Sequence, residues 1–218
     1  PGHIILGGWR PVDDVHTYGS LSFADVIVKS SNVGAIKAGL QIGAERLGEY
    51  VHRFGFGQAL APDFNGQSRG IVWDASKFDD SAIASVSMGY QIGVTPMQMV
   101  TAANSIANGG KLYEPHLVRA TISDGIRQPV APKVLRQTIS QATANVLTGI
   151  MEDVVERGTA KAGGLPGYRV AGKTRTAAKV VRWPDRYMDE RGRSMWDRVM
   201  RLLPDAGAPA RPPRIIRL

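Results

Sequence analysis

Three clusters in the sequence carry residue types able to do chemistry. Ser30-Ser31-Asn32 sets a hydroxyl and a carboxamide two positions apart in a turn, one able to pass on a proton and the other able to donate and accept hydrogen bonds. Ala171-Gly172-Lys173-Thr174-Arg175-Thr176 sets an ammonium among small and hydroxylated side chains, which suits an anion. Met88 to Gln98 carries Gly89, Gly93 and a Thr95-Pro96 step. Each has a plainer explanation when taken alone. Ser and Asn at a helix junction are ordinary caps, a lysine on an edge strand is ordinarily solvated, and the glycines and proline of the third cluster are structural. The four histidines (3, 16, 52, 116) show no metal-ligand spacing, and a solvated or capping role suits each. Cysteine is absent, which removes thiolate catalysis, iron–sulfur clusters, cysteine zinc sites and disulfides.

The elements that must position these clusters follow from periodicity and punctuation. The stretch to Ser20 is rich in Gly, Pro and Asp and reads as loop or short strand. From Ser22, Phe23 to Val28 suggests a short helix ending at Lys29 to Asn32. Val33, Ile36, Leu40, Leu47, Tyr50, Val51 and Phe54 recur at three- and four-residue steps, the pattern of helices with one buried face, divided at Gly43 and ended by Gly55 and Gly57. Residues 58 to 80 read as irregular. Thr95, Pro96 and Gln98 form a capping box with proline at the first helical position, predicting a helix to about Ala107 with Met97, Val100, Ala103 and Ile106 inward. Strands at Leu117 to Ile122 and Ile126 to Val130 should form a hairpin across Asp124-Gly125. A second capping box, Thr138 with Gln141, predicts a long amphipathic helix over 140–157, and Tyr168 to Ala177 reads as a strand.

Composition is that of a globular domain: 218 residues, 43% hydrophobic and 21% charged, enough to bury one core. No apolar run is long enough for a transmembrane helix, and the opening Pro1-Gly2-His3 has no leader character, so the chain reads as a piece of something longer. The net charge of +8 is uneven. Residues 180–218 hold nine arginines, five acids, five prolines and no lysine. A basic tail brings nucleic acid into consideration as a partner, but the tail has no RNA-binding motif and no interleaved stacking aromatics, so that reading is disfavoured.

Taken together and in order, the three clusters resemble the class B penicillin-binding proteins, specifically the C-terminal portion of a D,D-transpeptidase domain of the cell-division (septal) type. Asp14-Val15-His16-Thr17-Tyr18-Gly19-Ser20-Leu21-Ser22 before the Ser-x-Asn turn and Arg53-Phe54-Gly55-Phe56-Gly57 after it support the likeness, which runs to about Lys179. The family acylates a serine with stem peptides and carries Ser-x-x-Lys, Ser-x-Asn and Lys-Thr-Gly. The resemblance implies that Ser30 relays a proton, that Asn32 binds a substrate amide, that Lys173 and Thr174 meet the substrate carboxylate, and that the backbone N–H of Thr176 serves the oxyanion.

Two departures qualify it. No serine in these 218 residues is followed three positions later by lysine, and the family places that motif before the point where this chain begins. Arg175 stands where Lys-Thr-Gly has glycine, so a guanidinium would intrude where substrate lies along the strand. The expectation is an α/β chain with an incomplete penicillin-binding transpeptidase (β-lactamase-like) fold, a helical region packed on a partial antiparallel sheet that includes 168–177. Residues 1–179 form a partial transpeptidase domain lacking the nucleophile segment, and 180–218 an Arg/Pro-rich atypical tail with poor order. The expected function is a fragment of a peptidoglycan D,D-transpeptidase, inactive by itself, with no cofactor or metal. The alternatives are a non-catalytic or degenerate relative acting as a binding module, and then a basic nucleic-acid-binding protein. Partners implied by the resemblance are stem peptide, β-lactams and division-complex proteins. The implied place is the periplasmic face of the inner membrane, held by an N-terminal anchor that lies outside this chain.

Overall fold

The computed structural model describes residues 2–6 and 11–174, together with strand backbone at 178–180 and 215–217. The chain divides into two units, Pro1–Thr174 and Arg175–Leu218. In the first, β1 (His3–Ile4) pairs antiparallel with β2 (Val12–Asp13). Three helices follow: α1 (Phe23–Val28), α2 (Asn32–Ile42) and α3 (Ala44–Arg53). Gly43, at φ 82°, ends one helix and starts the next, a left-handed turn that a side chain would strain. Then come α4 (Asp80–Ser87), capped by the Asp79 carboxylate, α5 (Pro96–Ala107), and α6 (Gln141–Glu156). Between α5 and α6, β3 (Lys111–Tyr113) pairs with β6 (Val134–Gln137), and β4 (Ala120–Ser123) pairs with β5 (Ile126–Pro129) across the left-handed Asp124-Gly125 turn. In the second unit β7 (Ala178–Val180) pairs antiparallel with β8 (Ile215–Arg217).

Val28, Ile36, Leu112 and Val154 are the largest fully buried apolar side chains among the described residues of the first unit. Helices α2 and α4 approach closely because Gly39 has no side chain, and a Cβ there would collide with Ser87 Oγ. The result is a helical region with short antiparallel strand pairs, consistent with an incomplete transpeptidase domain.

The structure corrects several expectations. Residues 168–174 form no strand. The segment has no described strand beside it, and its Gly172 N–H goes instead to the Met151 carbonyl of α6 at 3.1 Å, so no ladder forms. Residues 175–177 lie outside the described residues. The buried face of α5 is Gln98, Thr101, Ala102 and Ser105, while Val100 is 66% exposed and Ala103 also faces out. Polarity misled here. Gln98 Oε1 accepts from the Thr95 N–H at 2.9 Å and its Nε2 donates to the Gln58 and Arg69 carbonyls at 2.8 and 3.0 Å, so a fully bonded amide is buried at no unpaired cost. The cap of α6 is Ser140, which accepts from the Thr143 N–H; Thr138 is wholly buried and donates to the Gly110 carbonyl. Helix α4 and the β3–β6 pair went unanticipated. Among the described residues no helix is long and apolar enough to cross a membrane.

Candidate active site

Ser30 owes its place to the way α1 ends. Lys29 is the C-cap, the Ser30 N–H donates to the Ile27 carbonyl at 3.2 Å, and the Ser31 N–H donates to the Val26 carbonyl at 3.0 Å. These two bonds make a Schellman motif, whose left-handed position is ordinarily glycine. Ser30 occupies it at φ 56°, so a serine sits where backbone sterics favour a residue without Cβ. Its side chain is exposed.

The next residue belongs to two elements. Ser31 finishes α1 and caps α2, its Oγ accepting from the Gly34 N–H at 2.9 Å and donating to Asp14 Oδ2 at 2.6 Å. Asp14 Oδ1 accepts from the Val33 N–H at 3.0 Å. A carboxylate and a hydroxyl therefore satisfy two first-turn amides of α2 and complement its dipole. Asn32, half-buried, begins that first turn, and its amide makes no hydrogen bond among the described residues.

Lys173 arrives from the far end of the unit. Its Nζ donates to Ser30 Oγ at 2.8 Å and to the Thr174 carbonyl at 2.9 Å. Helix α6 braces both partners. Arg157, just past its end, donates to Asp25 of α1 at 2.8 Å and to Asp153 at 2.8 Å. Gly158 lies so close to the end of α1 that a Cβ would collide with the Val28 carbonyl. On the other side, the Gly172 bond to Met151 and a 2.7 Å ion pair between Arg169 and Glu152 tie the lysine segment to the same helix. The Arg157 guanidinium, then Ser22, hold the Asp25 carboxyl below its ordinary range, and the two carboxylates raise Arg157 in turn. Glu152 likewise raises Arg169.

Ser30 and Lys173 are thus in direct contact, with Asn32 two positions beyond Ser30 in the same turn. Thr174 meets Thr159, the two hydroxyl oxygens 2.5 Å apart. Thr176 and Arg175 lie outside the described residues. Sequence reasoning had quoted Asp14 only as flanking text and had missed Arg157 and Thr159. The acid of Asp14 falls before a Ser-Ser-Asn cap, a signal that was available; for Arg157 and Thr159 the partners sit 132 and 15 positions away, with no periodicity to mark them. No group of three His, Cys, Asp or Glu among the described residues could hold a metal ion.

Known proteins similar to this chain in sequence and fold are numerous. Residues 1–196 match the family described as penicillin binding protein transpeptidase domain, which carries the likeness beyond Lys179. The chain is 34% identical over 166 residues to stage V sporulation protein D of Bacillus subtilis, covering 75% of this chain and 26% of that protein. It is 32% identical over 219 residues to the probable peptidoglycan D,D-transpeptidase PbpC of Pseudomonas aeruginosa, covering 97% of this chain and 35% of that one. Among solved structures, penicillin-binding protein 3 of Mycobacterium tuberculosis complexed with aztreonam superimposes with a TM-score of 0.76 at 32% identity, over 83% of this chain and 42% of its own. The apo transpeptidase domain of Burkholderia pseudomallei penicillin-binding protein 3 gives 0.73 at 32% identity, over 83% and 52%. The chain spans about a quarter to a third of the length of these curated relatives. Because the family pattern extends over most of its length and the relatives share its fold, this chain belongs to the penicillin-binding protein transpeptidase family.

Proposed function

We propose that the chain is part of a peptidoglycan D,D-transpeptidase of the septal type, which cross-links stem peptides through a serine acyl-enzyme and is blocked by β-lactams. The observation that carries this reading is the 2.8 Å bond from Lys173 Nζ to Ser30 Oγ, made by a serine in a left-handed conformation. A strained polar residue at a ligand-accessible turn is the kind of feature that function maintains. In this reading Ser30 hands a proton between the attacking serine and the leaving amine, with Lys173 holding its oxygen. Asn32 bonds a substrate amide, Lys173 and Thr174 receive the substrate carboxylate, and the Thr176 N–H stabilises the oxyanion. Penicillin-binding protein 3 structures with aztreonam and with ampicillin support β-lactams as the ligand class. Residues 1–179 supply the domain portion and 180–218 an Arg/Pro-rich tail. The place of action is the periplasmic face of the inner membrane, beside division proteins.

The attacking serine is not within these residues, since no Ser-x-x-Lys occurs in them. The test therefore has two arms. The purified chain, incubated with a fluorescent penicillin and denatured, should carry no label. A chimera that joins the preceding part of the Pseudomonas aeruginosa PbpC transpeptidase domain to residues 1–218 should be labelled when Arg175→Gly supplies the glycine of Lys-Thr-Gly. Labelling should then drop with Ser30→Ala or Lys173→Ala. A folded chimera that stays unlabelled sinks the reading, and so does stoichiometric labelling of the chain alone that disappears with Ser30→Ala.

A further inference from the structure

The contact between Thr159 and Thr174 is unexplained by packing. Both side chains are exposed, yet their oxygens are 2.5 Å apart, shorter than the usual 2.7–2.8 Å of a hydroxyl pair. Two solvated hydroxyls gain little from each other over water, so their approach is set by the backbones that carry them. Those backbones are held. Gly158 presses on the Val28 carbonyl, the Ala160 N–H donates to the Val154 carbonyl at 3.0 Å, and the Gly172 N–H donates to the Met151 carbonyl. Lys173 Nζ, on the Thr174 carbonyl, adds a further hold.

We infer that Thr159 is a positioning residue that fixes the Thr174 hydroxyl so that its hydrogen points at an incoming carboxylate. The inference deepens the reading above and rests on it for the identity of the ligand. A threonine hydroxyl has one hydrogen and two acceptor lone pairs. Without ligand either oxygen can donate to the other. Once a carboxylate sits beside Thr174, a single arrangement lets both hydrogens bond: Thr159 donates to Thr174 Oγ1, and Thr174 donates to the carboxylate. Charge on the acceptor polarises that chain and strengthens both links. Thr159 thereby decides which way the Thr174 hydroxyl faces without itself touching the substrate.

The test uses the full 218-residue chain, with N-acetyl-D-alanyl-D-alanine and its C-terminal carboxamide as probes, followed by the amide resonances of Lys173 and Thr174. Thr159→Val keeps the shape and removes the hydroxyl; Thr159→Ser keeps the hydroxyl. The valine variant should bind the carboxylate peptide about tenfold more weakly with its affinity for the carboxamide unchanged, and the serine variant should match the parent. Equal losses for both peptides, or none for either, would overturn the inference. A second measurement needs no ligand: three-bond couplings to the Thr174 methyl should report one rotamer in the parent and in Thr159→Ser, and an average in Thr159→Val. An averaged rotamer in the parent overturns the inference whatever the peptides do. A parent that binds neither peptide, as an intruding Arg175 would produce, leaves the transpeptidase reading to the chimera, and the Thr174 rotamer then decides the role of Thr159.

Discussion

At the residue scale, the site is built around a conformational cost. A non-glycine residue in the left-handed region gives up about 1–2 kcal/mol, and Ser30 does so at a position where glycine is the common solution. Stability and function should therefore separate there. Ser30→Gly should leave the unfolding free energy of the chain unchanged or raised by up to about 1 kcal/mol, while removing the oxygen that Lys173 holds. Calorimetry of the chain, alongside penicillin labelling of the chimera, would show the two moving apart; a clear fall in stability with Ser30→Gly would mean the hydroxyl serves the fold. Asp14 should behave in the opposite way. It accepts from the Ser31 hydroxyl and the Val33 N–H, so Asp14→Ala removes one cap of α2 and the bond that orients the Ser31 hydroxyl capping Gly34, and should cost about 1–2 kcal/mol, read as a lowered urea midpoint. A midpoint equal to the parent's would show that water replaces the carboxylate without loss.

At the element scale, α6 is the strut to which both halves of the site are fastened, and its Arg157 contact is a pH-dependent fastening. Asp25 has a folded-state acidity stronger than in the unfolded chain, so its contribution is complete above the ordinary carboxyl range, near about 4, and is lost as pH falls through its lowered value. Asp63 and Asp74 are also held low by hydrogen bonds to Val118 and Ser76, so the whole chain should lose stability in acid. The share belonging to the α1–α6 fastening is isolated by difference. Arg157→Met should give a shallower fall in melting temperature between pH 5 and 3 than the parent, and faster hydrogen exchange of the Val26 and Lys29 amides at neutral pH. Identical pH slopes would remove Arg157 from the account. Elements also mark where sequence was a good guide. The Thr95-Pro96-Gln98 box, the Asp124-Gly125 hairpin and the Gly43 division each depend on neighbours within four positions, and all stand. The inward face of α5, the cap of α6 and the strand at 168–174 depended on what lay across from them. A glutamine satisfied by a distant loop, a threonine bonded to Gly110 and a segment bonded to a helix each overrode local pattern. The types of Ser30, Asn32 and Lys173 were legible for the same reason that their bracing was not: motif residues are local text, whereas the contacts of Asp14, Arg157 and Thr159 are not.

At the scale of the whole molecule, a net charge of +8 coexists with apolar side chains in the open, Ile122 at 74%, Val100 at 66% and Val146 at 64% exposure among them. Self-repulsion between like charges opposes the association that such surfaces favour, and salt screens the repulsion with a Debye length falling to about 3 Å at 1 M. The chain should sediment as a monomer at low salt and associate as sodium chloride rises; a sedimentation coefficient independent of salt would mean these surfaces do not attract one another. The contact between Lys173 and Ser30 spans 143 positions, which has a consequence in time as well as in space. Capped helices and a two-residue hairpin close on the order of microseconds, but a pair so far apart must wait for nearly the whole unit to come together. During synthesis, at roughly 5–20 residues per second, the Ser30 turn emerges and stands on the order of ten seconds before its lysine has been made. Through that interval the left-handed serine has none of its α6 bracing, so a turn that carries a conformational cost waits on the ribosome for the partner that braces it.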